Sequence, residues 1–180
     1  MDLYEHEGKG LWREYGIPTP AGLIISKTEL GLSPVPKDWH GYVVKAQVLS
    51  GNRARQQLIS IVDTAERAQE ASLLIVERGQ HMPELEHVLI EQQITFTKEL
   101  YVSISYSTQS NTPLLLMSVD GGTGIEQSTE GLHRYPIDPL VGLHEASIRQ
   151  VGYSAHLTSA EIKTLVPIIM KLWRCFQERD

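Results

Sequence analysis

An α+β chain of two lobes is the architecture this sequence predicts, on three observations. Short apolar runs recur with turn signals between them, two helix starts carry capping-box patterns, and the C-terminus forms a long amphipathic stripe. A length of 180 residues allows roughly 70% of the unfolded surface to be buried, enough for two small lobes that share a cleft.

Each element follows from its residues. Leu3, Leu11, Trp12 and Tyr15 among charges predict a helix that ends at the rigid Gly16-Ile17-Pro18-Thr19-Pro20. Gly22 to Ser26 reads as a strand, and Leu30 to Trp39, broken by proline and glycine, as a loop. Tyr42 to Val48 is an apolar strand interrupted by Lys45. A polar turn, Leu49-Ser50-Gly51-Asn52-Arg53-Ala54-Arg55, leads to a returning strand at Leu58 to Val62, which makes the turn a hairpin tip. Asp63-Thr64-Ala65-Glu66 is a capping-box pattern that opens a helix with Ala68, Ala71, Leu74 and Ile75 on one face. Gly79 to Glu86 connects to strands at His87–Gln93, Glu99–Tyr106 and Leu114–Val119. Asp120-Gly121-Gly122-Thr123-Gly124 is a glycine-rich turn that fits neither a Walker nor a Rossmann motif. Ile137-Asp138-Pro139-Leu140 marks a break before helical sequence. The last helix opens with the capping box Thr158-Ser159-Ala160-Glu161 and carries Ile162, Leu165, Val166, Ile169, Leu172, Trp173 and Phe176 on one stripe. Pro167 inside it predicts a kink or a later start near Thr164.

Composition narrows the function classes. With 41% hydrophobic and 21% charged residues the chain has the make-up of a globular domain. Sixteen basic against 22 acidic residues give a net charge of −6, with no basic cluster beyond Arg53 and Arg55, so no nucleic-acid footprint is present. Cys175 is the only cysteine, which excludes an intrachain disulfide and a cysteine-rich zinc site and points to a reducing compartment. The seven histidines never stand three or four residues apart, which argues against a helical histidine metal pair. No apolar run approaches the roughly 20 residues of a membrane span, and the charged N-terminus is no signal peptide. The cytoplasm is the expected location, with the mitochondrial matrix the alternative for a mature chain.

The chemistry concentrates around Lys45. A strand lysine can neutralise phosphate oxygens as a point charge, Arg53 can bind them bidentately, and Glu91 and Glu99 can accept from ribose hydroxyls or an adenine amino group. Backbone groups of Leu89 to Gln93 can read an adenine edge. The same residues also read as an ion-paired surface lysine with two strand carboxylates facing water.

A run of blocks in order extends this reading over nearly the whole chain. Asp2-Leu3-Tyr4-Glu5-His6-Glu7-Gly8-Lys9, Tyr15-Gly16-Ile17-Pro18-Thr19-Pro20, Val43-Val44-Lys45-Ala46-Gln47-Val48, Leu89-Ile90-Glu91, Lys98-Glu99-Leu100-Tyr101, Gly121-Gly122, Ile137-Asp138-Pro139-Leu140 and Glu178-Arg179-Asp180 resemble the ATP-grasp region of the succinate–CoA ligase β subunit and its acyl-CoA synthetase relatives. The resemblance implies an ATP-grasp fold holding ATP or GTP in a cleft. One lobe is expected from residues 1–20 plus about 107–180, and the nucleotide-side lobe from about 21–106. It implies an ADP- or GDP-forming acid–CoA ligase of the tricarboxylic acid cycle type. Such a ligase phosphorylates a histidine on a partner α subunit, then passes the phosphate to succinate or a similar acid for attack by CoA. By position, Lys45 holds the α/β-phosphates, Gly51, Asn52, Arg53 and Ala54 form the phosphate-side loop, and Glu91, Ile94 and Glu99 line the adenine and ribose pocket.

Two departures from the family pattern qualify these expectations. Asn52 and Ala54 stand where the family has glycines, and Arg55 where it has a lysine, which alters the backbone freedom of the loop. The family also continues past its Glu-Arg-Asp block into a strand carrying the Mg²⁺ ligands. The fold is therefore expected to be truncated before the metal-binding strand, with no catalytic or metal residue within this chain and no turnover by the chain alone. The alternative function is a non-catalytic ATP-grasp remnant that serves as a binding or assembly module.

Overall fold

Among the described residues two antiparallel sheets form, one in each of two compact units. A computed structural model describes residues 2–49, 53–107, 111–119 and 131–179. The first unit comprises Met1–Arg13 and Pro18–Thr95, and the second Glu14–Ile17 and Phe96–Asp180.

The first unit holds α1 (Glu5–Glu14, whose last residue groups with the second unit), β1 (Gly22–Ser26), β2 (Tyr42–Ala46), β3 (Ile59–Val62), α2 (Ala65–Arg78) and β4 (His87–Gln92). The strands run in the order β1-β4-β2-β3, every neighbour antiparallel. Side chains alternate along β2, so Tyr42, Val44 and Ala46 are buried in a core with Ala68, Ala71 and Ile75 of α2. Val43 and Lys45 therefore belong to the opposite face. The register puts Glu91 across from Val43 and Leu89 across from Lys45, and residues paired across strands share a face.

Two details of α2 differ from expectation. The cap is Thr64, whose hydroxyl accepts from the Arg67 N–H at 3.2 Å, while the Asp63 carboxylate instead takes the Arg67 guanidinium at 2.9 Å. Leu74 is exposed, because the stripe facing the sheet runs through Ala68, Ala71, Ser72 and Ile75.

The second unit holds β5 (Tyr101–Ser107), β6 (Thr112–Ser118), β7 (His133–Pro136), α3 (Glu145–Ser154) and α4 (Ser159–Arg179), with strand order β5-β6-β7. Leu115, Met117 and Ile137 pack with Ile148 and Val151 of α3 and with Ile162, Val166, Ile169 and Trp173 of α4. The expected stripe of the last helix is therefore core. Strand β7 was not expected, since four residues with a histidine, an arginine and a terminal proline carry no apolar alternation; as an edge strand it needs none. Helix α4 starts at Ser159 and runs without interruption through Pro167, correcting the expected later start. Its capping box is closed in both directions, Thr158 N–H to Glu161 Oε2 at 2.7 Å and Glu161 N–H to Thr158 Oγ1 at 3.3 Å. Pro167 lies on the exposed side, where the carbonyl it leaves unbonded can turn to water.

The division between units falls elsewhere than the sequence suggested. Residues up to Arg13 group with the first unit, through bonds of Glu5 and Lys9 to Lys45 and Glu91. Strand β5 groups with the second, because it pairs along its whole length with β6. The glycine-rich turn 120–124 lies outside the described residues.

Candidate functional site

Five charged side chains meet on the face of the first sheet that turns away from α2. Lys45 projects from β2 and Glu91 from β4, and their Nζ and Oε2 atoms are 2.8 Å apart. Glu5, the first residue of α1, accepts from Lys45 at 2.6 Å and from Lys9 at 2.7 Å through Oε1, and its Oε2 is ion-paired with the Arg53 guanidinium at 2.8 Å. Lys9 reaches both oxygens of Glu91, at 2.6 and 2.7 Å. Arg53 also donates to the Ala46 carbonyl at 3.1 Å, which ties the turn back to the end of β2.

The network is half-buried and its members differ in how deep they lie. Glu91 is 2% exposed, with Gly22 opposite it in the register; a Cβ added there would sit 3.0 Å from the Glu91 Cγ, so the glycine makes room for the carboxylate. Glu5, Lys9, Lys45 and Arg53 retain part of their exposure. Burial pushes the Glu5 carboxyl upward, but the hydrogen bonds and charges of Lys45 and Lys9 outweigh it and hold the group at about 2. Burial likewise opposes the charge on Lys45, and its bonds to Glu5 and Glu91 raise it above the ordinary lysine value. Within this network three cations against two carboxylates leave one net positive charge.

Two features adjoin the network. On one side a pocket of about 240 Å³ is lined by His6, Lys9, Arg13, Gly22, Leu89 and Glu91. On the other, β3 pairs Ile61 with Val43, and Ile61 is 64% exposed, so an apolar strip borders the cations.

Of the residues singled out by sequence, the structure unites Lys45, Arg53 and Glu91. Ala54 is exposed in a turn closed by hydrogen bonds from Gln57 N–H to the Ala54 carbonyl and from Leu58 N–H to the Arg53 carbonyl. Ile94 is exposed beyond the end of β4, and Glu99 is exposed within the second unit. Gly51 and Asn52 lie outside the described residues. The plain alternative of a surface lysine is corrected in part, since Lys45 is indeed ion-paired but Glu91 faces the protein and only Glu99 faces water. Sequence reasoning assigned no role to Glu5 or Lys9; their spacing of four on a helix was the available signal. Among the described residues no group of three or more His, Cys, Asp or Glu side chains converges to hold a metal ion.

The sequence model of the ATP-grasp domain matches residues 2–180, and the chain belongs to that family. Within it the chain is related to the β subunits of acid–CoA ligases. It is 33% identical over 186 residues to subunit SqwK of an ADP-forming sulfoacetate-CoA ligase from Acholeplasma sp, a match covering 100% of this chain and 45% of the relative. It is 31% identical over 184 residues to the β subunit of the ADP-forming succinate–CoA ligase of Rubrobacter xylanophilus, covering 100% of this chain and 48% of that one. The chain thus spans about half the length of the relatives it matches. The fold is shared with a Pyrococcus horikoshii protein (TM-score 0.72, 16% identity, 98% of this chain and 77% of that one). It is also shared with the dinucleotide-forming acetyl-coenzyme A synthetase 1 of Ca. Korarchaeum cryptofilum (TM-score 0.72, 17% identity, 98% and 81%), solved with coenzyme A and Ca-AMPCP.

Proposed function

We propose that this chain is the nucleotide-binding part of an acid–CoA ligase. It would hold the phosphates of ATP or GTP at Lys45, Arg53 and the loop that includes Gly51, Asn52 and Ala54. Glu91, Ile94 and Glu99 would serve the base and ribose. The observation that carries this reading is the group Lys9, Lys45 and Arg53, one charge in excess of Glu5 and Glu91, on a half-buried sheet face bordered by the apolar Val43 and Ile61. A nucleotide needs both, cations for phosphate and an apolar surface for the base. Kinship with ligase β subunits supports the wider assignment: an acid such as succinate, CoA, and an α-type partner carrying the histidine that is phosphorylated. Sulfoacetate is the acid in the name of one relative. Mg²⁺ neutralises phosphate charge in such reactions. The part proposed for this chain is the binding of the nucleotide.

A second reading, an assembly module that binds no nucleotide, is favoured by one observation: each of the three cations already has a carboxylate partner. Isothermal titration with ATP and with GTP, each with and without Mg²⁺, decides between them. Binding that disappears in Lys45→Ala supports the nucleotide site. Equal, measurable heats in both proteins would sink it and leave the assembly reading.

A further inference from the structure

The two carboxylates of the network are not equivalent. Glu91 lies on a central strand, is almost wholly enclosed, and gives both oxygens to Lys9 and one also to Lys45. Glu5 stands at the first position of α1, retains part of its exposure, and touches all three cations at once. Removing Glu5 leaves Lys45 and Lys9 with Glu91, but among the described residues leaves Arg53 bonded to the Ala46 carbonyl alone. A single anion whose two oxygens lie 2.6 to 2.8 Å from two ammonium groups and one guanidinium is arranged as a phosphate group would be on the same donors.

Resting on the nucleotide reading above, we propose that Glu5 is an internal stand-in for phosphate. Its carboxylate occupies the anion position on Lys45 and Arg53 while the site is empty, and it gives way when a polyphosphate binds. Lys9 is the residue that makes the exchange feasible. Placed four residues along the same helix, it retains the displaced Glu5 carboxylate, and its own bonds to Glu91 keep it in place throughout. The exchange breaks only ion pairs and moves no proton. Glu5 enters and leaves as carboxylate, since its acidity keeps it ionised at neutral pH.

A site occupied by its own carboxylate nine-tenths of the time binds a competing anion about tenfold more weakly than a vacant one. The test is calorimetric titration at pH 7.5 with sodium tripolyphosphate, and then with ATP, into the wild type, Lys45→Ala, Glu5→Gln and Glu5→Asp. Glutamine keeps the shape and removes the charge. Aspartate keeps the charge for Lys9 but, one methylene shorter, retracts it from Lys45 and Arg53. The proposal predicts about tenfold tighter binding of both probes to Glu5→Gln, and a smaller gain in the same direction for Glu5→Asp. Circular dichroism checks that each variant is folded, and if Glu5→Gln is not, Glu5→Asp carries the same test. Binding in the wild type that Lys45→Ala abolishes, together with unchanged or weakened binding in the Glu5 variants, overturns the proposal and spares the nucleotide reading. Binding gained only in the Glu5 variants supports the proposal. Absence of binding in all four proteins rejects the nucleotide reading and the proposal with it.

Discussion

Glu91 should be the most stability-critical charged residue of the first unit, and Glu91→Gln is the substitution that tests it. The carboxylate is 2% exposed and receives three hydrogen bonds from ammonium groups, at 2.6, 2.7 and 2.8 Å. The amide that replaces it keeps the volume but carries no charge, so Lys9, Lys45 and Arg53 must then share the single charge of Glu5. Breaking a buried pair by removing one partner costs about 3–5 kcal/mol, because a charge is left in a poorly solvated position. Here the orphaned lysines retain some exposure and water can reach them, so the lower end applies, about 3 kcal/mol. A chain of two units need not unfold in one step. The assay is therefore amide hydrogen exchange resolved by residue, following the protected amides of β2 and β4 against those of β5 and β6 as internal control. Exchange in β2 and β4 should quicken by about two orders of magnitude while β5 and β6 hold, since about 1.4 kcal/mol is a factor of ten. A change in β2 and β4 corresponding to less than about 1 kcal/mol would place this network with ordinary surface ion pairs. The idea that these strands are pinned from their outer face would then be refuted.

The same network should be acid-labile: Glu5 falls from an ordinary 4.5 to about 2, so its contribution is complete above pH 4.5 and lost as pH drops toward 2. That shift corresponds to at most about 3 kcal/mol, and urea midpoints of wild type minus Glu5→Gln should converge over this window; parallel curves would refute the assignment. In the second unit Gly152→Ala should destabilise, since the added Cβ would lie 2.7 Å from Cγ1 and 3.0 Å from Cδ1 of the buried Ile162 where α3 meets α4. Overpacking of this kind costs about 1–3 kcal/mol, read as a lower thermal midpoint of the second unit, whereas a rise from alanine's better helix propensity would show that the contact relaxes freely.

What the sequence could reveal was local, and what it concealed was long-range. Gly22–Ser26 is predicted and observed as the same five-residue strand because its ends are punctuated by glycine, proline and a turn. The box Thr158-Ser159-Ala160-Glu161 is legible because both partners lie within one turn. Strand β7 was illegible because its stability comes from pairing with β6 rather than from its own residues. Glu5 and Lys9 show only their mutual spacing in the sequence; the partners that make them part of a site lie 40 and 82 residues away. The expectation for Ile94 and Glu99 came from position in a family pattern, and in this structure both side chains are exposed.

The site depends on a register more than on any one residue. Strand side chains alternate with a period of two, so Val43 and Lys45 share a face with Leu89, Glu91, Gly22 and Ile24 only because β2 and β1 each pair with β4 as they do. A slip of one residue in β2 would send Lys45 into the core beside Ala68 and Ile75 and turn Val44 outward, a change the apolar core forbids. The buried Tyr42, Val44 and Ala46 therefore act as the clamp that aims Lys45. Once it is aimed, Glu91 fixes the lysine from within the sheet and Glu5 caps it from α1. The packing on one side of the sheet thereby selects which charges face the other. This is why a lone lysine in an apolar strand was informative before any partner was visible.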